Sequence, residues 1–201
     1  NQATEFIMSM LLYTPADWYW DTLTIEAWNT EVEDVSSEAG IEADDEIIED
    51  LENTYGNLEI KSNLSEAIIS ASYNMVEDNF QDYFTELNRV TDNSLLEDLD
   101  EDTLSYYFRR IMSNSVAYMM MKRCGLTPED YFSENDFREI TNFNTIQTIT
   151  KLGMATSDIA ENGLREIYDT NRILTKNSKN KNYTFDRKNN NYYNENKSER
   201  S

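Results

Sequence analysis

The chain has 201 residues, 39% hydrophobic and 12% aromatic, enough for one ordinary domain, or two small ones, with a real core. Its 39 Asp and Glu outnumber 17 Lys and Arg, and the formal charge of −22 repels nucleic acid and anionic membrane while attracting basic clefts. No His is present and Cys124 is the single cysteine, which excludes a His-dependent triad, a zinc site built on His or on several Cys, and an intrachain disulfide.

What remains of enzyme chemistry is carboxylate chemistry, with or without a hard metal such as Mg²⁺. The lack of disulfides fits a reducing compartment. No apolar stretch approaches the length of a membrane span, and the start Asn1-Gln2-Ala3-Thr4-Glu5 lacks the positive region of a secretory signal. A cytoplasmic location is expected.

Charge divides the chain into a hyperacidic, aromatic-rich element (1–60), a core (61–175) and a tail (176–201). The first carries sixteen carboxylates and no Lys or Arg, Lys61 being the first cation. Thr14-Pro15-Ala16-Asp17 has the signature of a helix start. Trp18, Tyr19, Trp20 and Trp28 follow closely, and they either attach the acidic element to the core or form an exposed aromatic interface. Acid clusters lie at 31–34 and 42–52. Ile47, Ile48 and Leu51 make the second an amphipathic helix.

The core reads as helical throughout, with five Gly and two Pro in the whole chain. Asn63 with Glu66 marks a helix start, and Ile68, Ile69, Met75, Val76, Phe80, Phe84 and Leu87 recur at helical intervals. Asp98, Asp100, Glu101 and Asp102 form an acidic turn. Its Asp-x-Asp-x-Asp spacing is that of a calcium loop, but the loop's Gly is missing and Arg109 stands where the closing Glu belongs. From Leu104 a second stripe runs through Phe108, Ile111, Met112, Val116 and Met119, and Gly125 sits where that helix should end. Cys124, after Met119-Met120-Met121, reads as packing. Thr127-Pro128-Glu129-Asp130 repeats the helix-start signature. Ser133 with Asp136 and Asn144 with Gln147 have capping spacing. Ile146, Ile149 and Leu152 mark one further helix, and Ile159, Leu164 and Ile167 the last. The Asn- and Lys-rich tail, with seven bases and three acids, has the composition of a mobile terminus, or of a basic arm that touches phosphate or the chain's own acidic face.

The stretch Ser115-Val116-Ala117-Tyr118-Met119, then Arg123-Cys124-Gly125-Leu126-Thr127-Pro128-Glu129-Asp130-Tyr131-Phe132, then Asn142-Phe143-Asn144-Thr145 and Leu152-Gly153-Met154-Ala155-Thr156-Ser157-Asp158-Ile159-Ala160-Glu161, resembles the LtrC-like and ArdC-type antirestriction proteins of conjugative elements over about 110–175. The resemblance implies a degenerate zincin-like scaffold and a protein that defends incoming DNA. That family's HExxH helix would fall on Ser65-Glu66-Ala67-Ile68-Ile69, with Glu66 kept and both His replaced. Its downstream acidic ligand would fall near Asn114.

The expectation is therefore a mainly α, single helical domain without catalytic residues, metal or cofactor. It would act as a counter-defence inhibitor, anti-CRISPR or antirestriction, whose acidic surface mimics nucleic acid and fills the basic channel of a host nuclease. The residues expected to meet the partner's Lys and Arg are Glu31, Glu33, Asp34, Glu42, Asp44, Asp45, Glu46, Glu49 and Asp50. Direct duplex DNA binding and membrane binding are not expected, and a homo-oligomer is left open. The alternatives are a carboxylate- and Mg²⁺-dependent nuclease acting on guide RNA or DNA, and a non-catalytic adaptor in conjugation.

Overall fold

The structure, a computed structural model, describes residues 40–198, with side chains given for 44–174 and 176. Trp18, Tyr19, Trp20, Trp28 and the Thr14-Pro15 helix start expected from the sequence lie outside the described residues.

Helix α1 spans Gly40–Tyr55, α2 Leu64–Asn88, α3 Glu101–Arg123 and α4 Ile146–Ser198, and two 3-10 segments, Pro128–Asp130 and Glu134–Asn142, join α3 to α4. No strand occurs among the described residues, and they form a single helical domain. None of their helices is long and apolar enough to cross a membrane.

Local chemistry sets the helix ends. Asn63 Oδ1 accepts the Glu66 N–H at 2.9 Å and opens α2. Asp100 opens α3 by accepting the N–H and hydroxyl of Thr103 at 2.9 and 2.8 Å. Gly125, at φ 72°, closes α3. The N–H of Leu126 reaches the Met121 carbonyl and that of Gly125 reaches Lys122, the paired bonds of a Schellman end. Glycine supplies the left-handed conformation there at least cost.

The apolar stripes meet in one core. Phe108 is fully buried, with ring centroids 6.0 Å from Phe80, 6.4 Å from Phe84 and 6.1 Å from Phe143. Phe84 lies by Phe108 while Ser72 Oγ lies 3.7 Å from Met120 Sδ, so α2 and α3 run antiparallel. Tyr83 bonds Asp158, and Met75 lies by Gly163, so α4 is also antiparallel to α2. The charge boundary at 60/61 cuts across this packing. Ile47 and Leu51 of α1 are buried in the same core as α2 and α4, because the acidic helix keeps an apolar stripe.

Three readings of the sequence change. The helices expected around Ile146–Leu152 and Ile159–Ile167 are one helix, α4. Gly163 inside it is a packing residue, since an added Cβ would stand 2.4 Å from Met120 Cε. The Thr127-Pro128 signature opens only one 3-10 turn, after which Asp136 accepts both the N–H and the hydroxyl of Ser133 and starts the next segment. At the head of α4 the cap is Thr145 with Thr148, whereas Asn144 Oδ1 accepts the Leu95 N–H at 2.9 Å and ties the α2–α3 connection to α4. The helical backbone of α4 runs on to Ser198, and the last buried side chain described on it is Thr170.

Candidate acidic docking face

The core's cations are largely committed to bonds within the chain. Arg109 Nη1 sits 2.9 Å from Glu77 and lies over the Phe80 ring. Lys61 bonds Glu52, Lys151 bonds Glu86 and Arg165 bonds Glu161. Arg110 and Arg138 converge on Glu139 Oε1 at 3.0 and 2.6 Å, and Glu139 is only 4% exposed. Two guanidinium groups offset the cost of burying that carboxylate. Arg123 is engaged as well.

Lys122 Nζ lies 2.6 Å from Glu129 Oε1, and the Tyr118 hydroxyl donates to the same oxygen at 2.8 Å. Lys122 and then Tyr118 hold the Glu129 carboxyl down at about 2. Burial, then Glu129, pushes Tyr118 up to about 12. This network pins the Pro128–Asp130 turn to the end of α3. Its side chains come from positions 118, 122 and 129, and the i, i+4 spacing of Tyr118 and Lys122 was its only signal in sequence.

The carboxylates of α1 are different. Ile47 and Leu51 point into the core, so the helix turns Asp45, Glu46 and Glu49 outward. Asp44 lies on the edge of the buried stripe. Burial, then the neighbouring Asp45, raises its pKa. Asp44, Asp45, Glu46 and Glu49 are exposed, and none is in an ion pair with a described residue. Asp50 is half-buried and accepts the Thr170 hydroxyl at 2.8 Å, which makes it part of the α1–α4 joint. Glu42 stands on the helical backbone of α1, with its side chain outside the described set. Glu31, Glu33 and Asp34 lie outside the described residues altogether.

At 1.5 Å of rise per residue, Asp44 to Glu49 spans about 7.5 Å and carries four charges, roughly one per 2 Å. Duplex DNA carries one per about 1.7 Å of axis. The stretch can attract a row of Lys and Arg. It also sits near the N-terminus of α1, where carboxylates stabilise the helix dipole, and that alone is a structural reason for acids there.

A second acidic surface lies at the opposite end of the bundle. Asp92, Asp98, Glu101 and Asp102 are exposed around the α2–α3 connection, beside the exposed Leu95 and Ile146. Of the calcium-like trio, Asp100 is committed to capping α3, and its hydrogen bonds to the N–H and then the hydroxyl of Thr103 lower its pKa.

No protein family matches this chain, and no curated protein or solved structure matches it either. The positions given by the antirestriction resemblance have local roles. Glu66 Oε2 accepts the Ser62 N–H at 3.1 Å at the head of α2. Asn114 donates to the Asp136 carbonyl at 2.9 Å and ties α3 to the 3-10 segment. Cys124 is buried, and burial pushes its thiol up to about 12, which leaves it unreactive at neutral pH.

Proposed function

We propose that this protein is a non-catalytic inhibitor that docks its acidic face in the basic nucleic-acid channel of a defence nuclease, a restriction enzyme or an RNA-guided nuclease. The observation that carries the reading is the division of labour among charges. Most cations of the core are bound up in ion pairs such as Arg109–Glu77 and Arg110–Glu139, while Asp45, Glu46 and Glu49 face outward and Asp44 is exposed at the edge of the buried stripe, all four without a described cation and at a charge density along the helix near that of duplex DNA. A surface of this kind steers a basic partner in quickly and loses it as salt rises. The face is built from α1 of the hyperacidic zone, a helix anchored to the core by Ile47 and Leu51 and therefore presented rigidly.

The resemblance to antirestriction proteins of conjugative elements supports the same context, a mobile-element protein acting against host defence. The zinc chemistry of that family does not transfer to a chain without His. A metal-dependent nuclease is a poorer reading, because Asp100 is already engaged in capping and the net charge repels nucleic acid.

The test is capture from a host lysate on the immobilised protein at low and raised ionic strength, beside the variant D44N/D45N/E46Q/E49Q. A nuclease retained by the native protein at low salt, released as salt rises and not held by the variant supports the reading. Retention by both proteins alike rejects it.

A further inference from the structure

The two most exposed large apolar side chains among the described residues come together at one end of the bundle. Ile146, the first residue of α4, is 81% exposed, and Leu95, in the α2–α3 connection, is 61% exposed. The Leu95 N–H donates to Asn144 Oδ1 at 2.9 Å, two residues before Ile146, and so holds the two elements against each other. Neither side chain serves the fold where it stands. Thr145 and Thr148 cap α4, and Leu96, not Leu95, carries the connection into the core. A lone exposed leucine is ordinary, whereas an apolar pair inside a charged rim is the anatomy of a binding surface.

The connection that carries Leu95 is fixed. The Asn93 N–H donates to Glu97 Oε2 at 2.7 Å. Ser94 Oγ donates to the Thr91 carbonyl at 2.6 Å and accepts the Leu96 N–H at 3.1 Å. An apolar side chain presented on a rigid loop has little freedom to lose on binding.

The rim has one sign. Asp92, Asp98, Glu101 and Asp102 are exposed, and none is in an ion pair with a described residue. Two cations of this end serve α2 instead: Lys151 bonds Glu86, and Arg89 adds its charge at the same carboxylate. The rim selects the occupant. A second copy of the chain would bring an identical acidic rim against it, and an anionic membrane would be repelled as well. Two side chains also fall well short of the roughly 800 Å² per partner of a stable protein interface. A short segment of opposite charge fits both limits.

We propose that Leu95 and Ile146 are the apolar centre of a docking site for a short basic amphipathic segment of a partner protein. A large apolar side chain of that segment covers the pair, and its Lys and Arg meet Asp92, Asp98, Glu101 and Asp102. Apolar contact supplies the hold, and the carboxylates supply orientation and speed of association. The site lies at the opposite end of the bundle from the acidic start of α1 and does not rest on the docking reading above.

The experiment is a fluorescence anisotropy titration with two labelled probes, a short amphipathic peptide of Leu and Lys and an oligolysine peptide with the same number of Lys. The native chain should bind the Leu-containing peptide more tightly than oligolysine. L95S/I146S should weaken the first by about tenfold and leave the second unchanged. I60S/Y73S removes two exposed apolar side chains elsewhere, each 54% exposed, and should bind both probes as the native chain does. D92N/D98N/E101Q/D102N should weaken the Leu-containing peptide at low ionic strength and flatten its dependence on salt. Thermal unfolding shows that each variant is folded, as exposed positions allow. Binding by L95S/I146S equal to native, an equal loss in both double variants, or equal affinity of the native chain for the two probes overturns the proposal. So does a native chain that sediments as a dimer and becomes monomeric in L95S/I146S, since the occupant would then be a second copy.

Discussion

Thr170 Oγ1 donates to Asp50 Oδ2 at 2.8 Å and lies 3.1 Å from the Glu166 carbonyl of its own helix. This bond ties α1 to α4 and removes one carboxylate from the row that faces solvent. Thr170→Val keeps the shape and loses the donor. It should lower stability by about 1 kcal/mol, the usual worth of such a bond. Denaturant unfolding measures it, and the affinity for oligolysine should stay within a factor of two or so of the native value, because Asp50 is not among the outward charges.

The outward row should be dispensable for folding. D44N/D45N/E46Q/E49Q removes mutual repulsion and the raised Asp44, and also some favourable interaction with the N-terminus of α1. The net change in stability should be about 0.5 kcal/mol or less, or a small gain. Thermal unfolding checks it. A large loss would mean that the row is structural.

Phe108 marks how much was legible in the sequence. Its stripe, and those of α2 and α1, could be read from period alone, because burial at every third or fourth residue is what a helix in a bundle requires. The caps at Asn63, Ser133 and Gly125 were legible for the same reason, being local. The single α4 was not, since Gly153 and Gly163 look like punctuation, and only the approach of Met120 shows that Gly163 makes room for packing. Within the candidate site, the exposure of Asp45, Glu46 and Glu49 followed from the apolar stripe of Ile47 and Leu51. The withdrawal of Asp50 did not, because it depends on Thr170, which is distant in sequence. The core carries its own test. Phe108→Ala should lower stability by about 3–5 kcal/mol in chemical denaturation, through lost transfer energy and a cavity between three other rings.

Glu129 should shape the acid arm of the stability curve. Its folded pKa of about 2 lies below the ordinary glutamate value of 4.5, so the pair with Lys122 and Tyr118 is fully formed above about 4.5 and is lost as pH falls towards 2. Over that window Glu129→Gln should flatten the fall in melting temperature relative to the native chain. An unchanged profile would mean that the exposed pair is screened away by solvent.

Cys124 should resist thiol reagents while the chain is folded. Burial, with a smaller contribution from Asp44, holds its pKa at about 12, so little thiolate exists at pH 8. Labelling by a disulfide reagent should follow global unfolding in denaturant. Fast labelling in native buffer would mean that the joint between α1 and the end of α3 opens readily.

The most direct test of the account is competition at the partner's own channel. An RNA-guided or restriction nuclease captured by the protein is loaded with labelled nucleic acid, and its release is followed as the native protein or D44N/D45N/E46Q/E49Q is added at low and raised ionic strength. The account expects the native protein to displace nucleic acid at low salt, progressively less as salt rises, and the variant to displace none. Equal displacement by the variant, or binding of the native protein that leaves the nucleic acid in place, would contradict it.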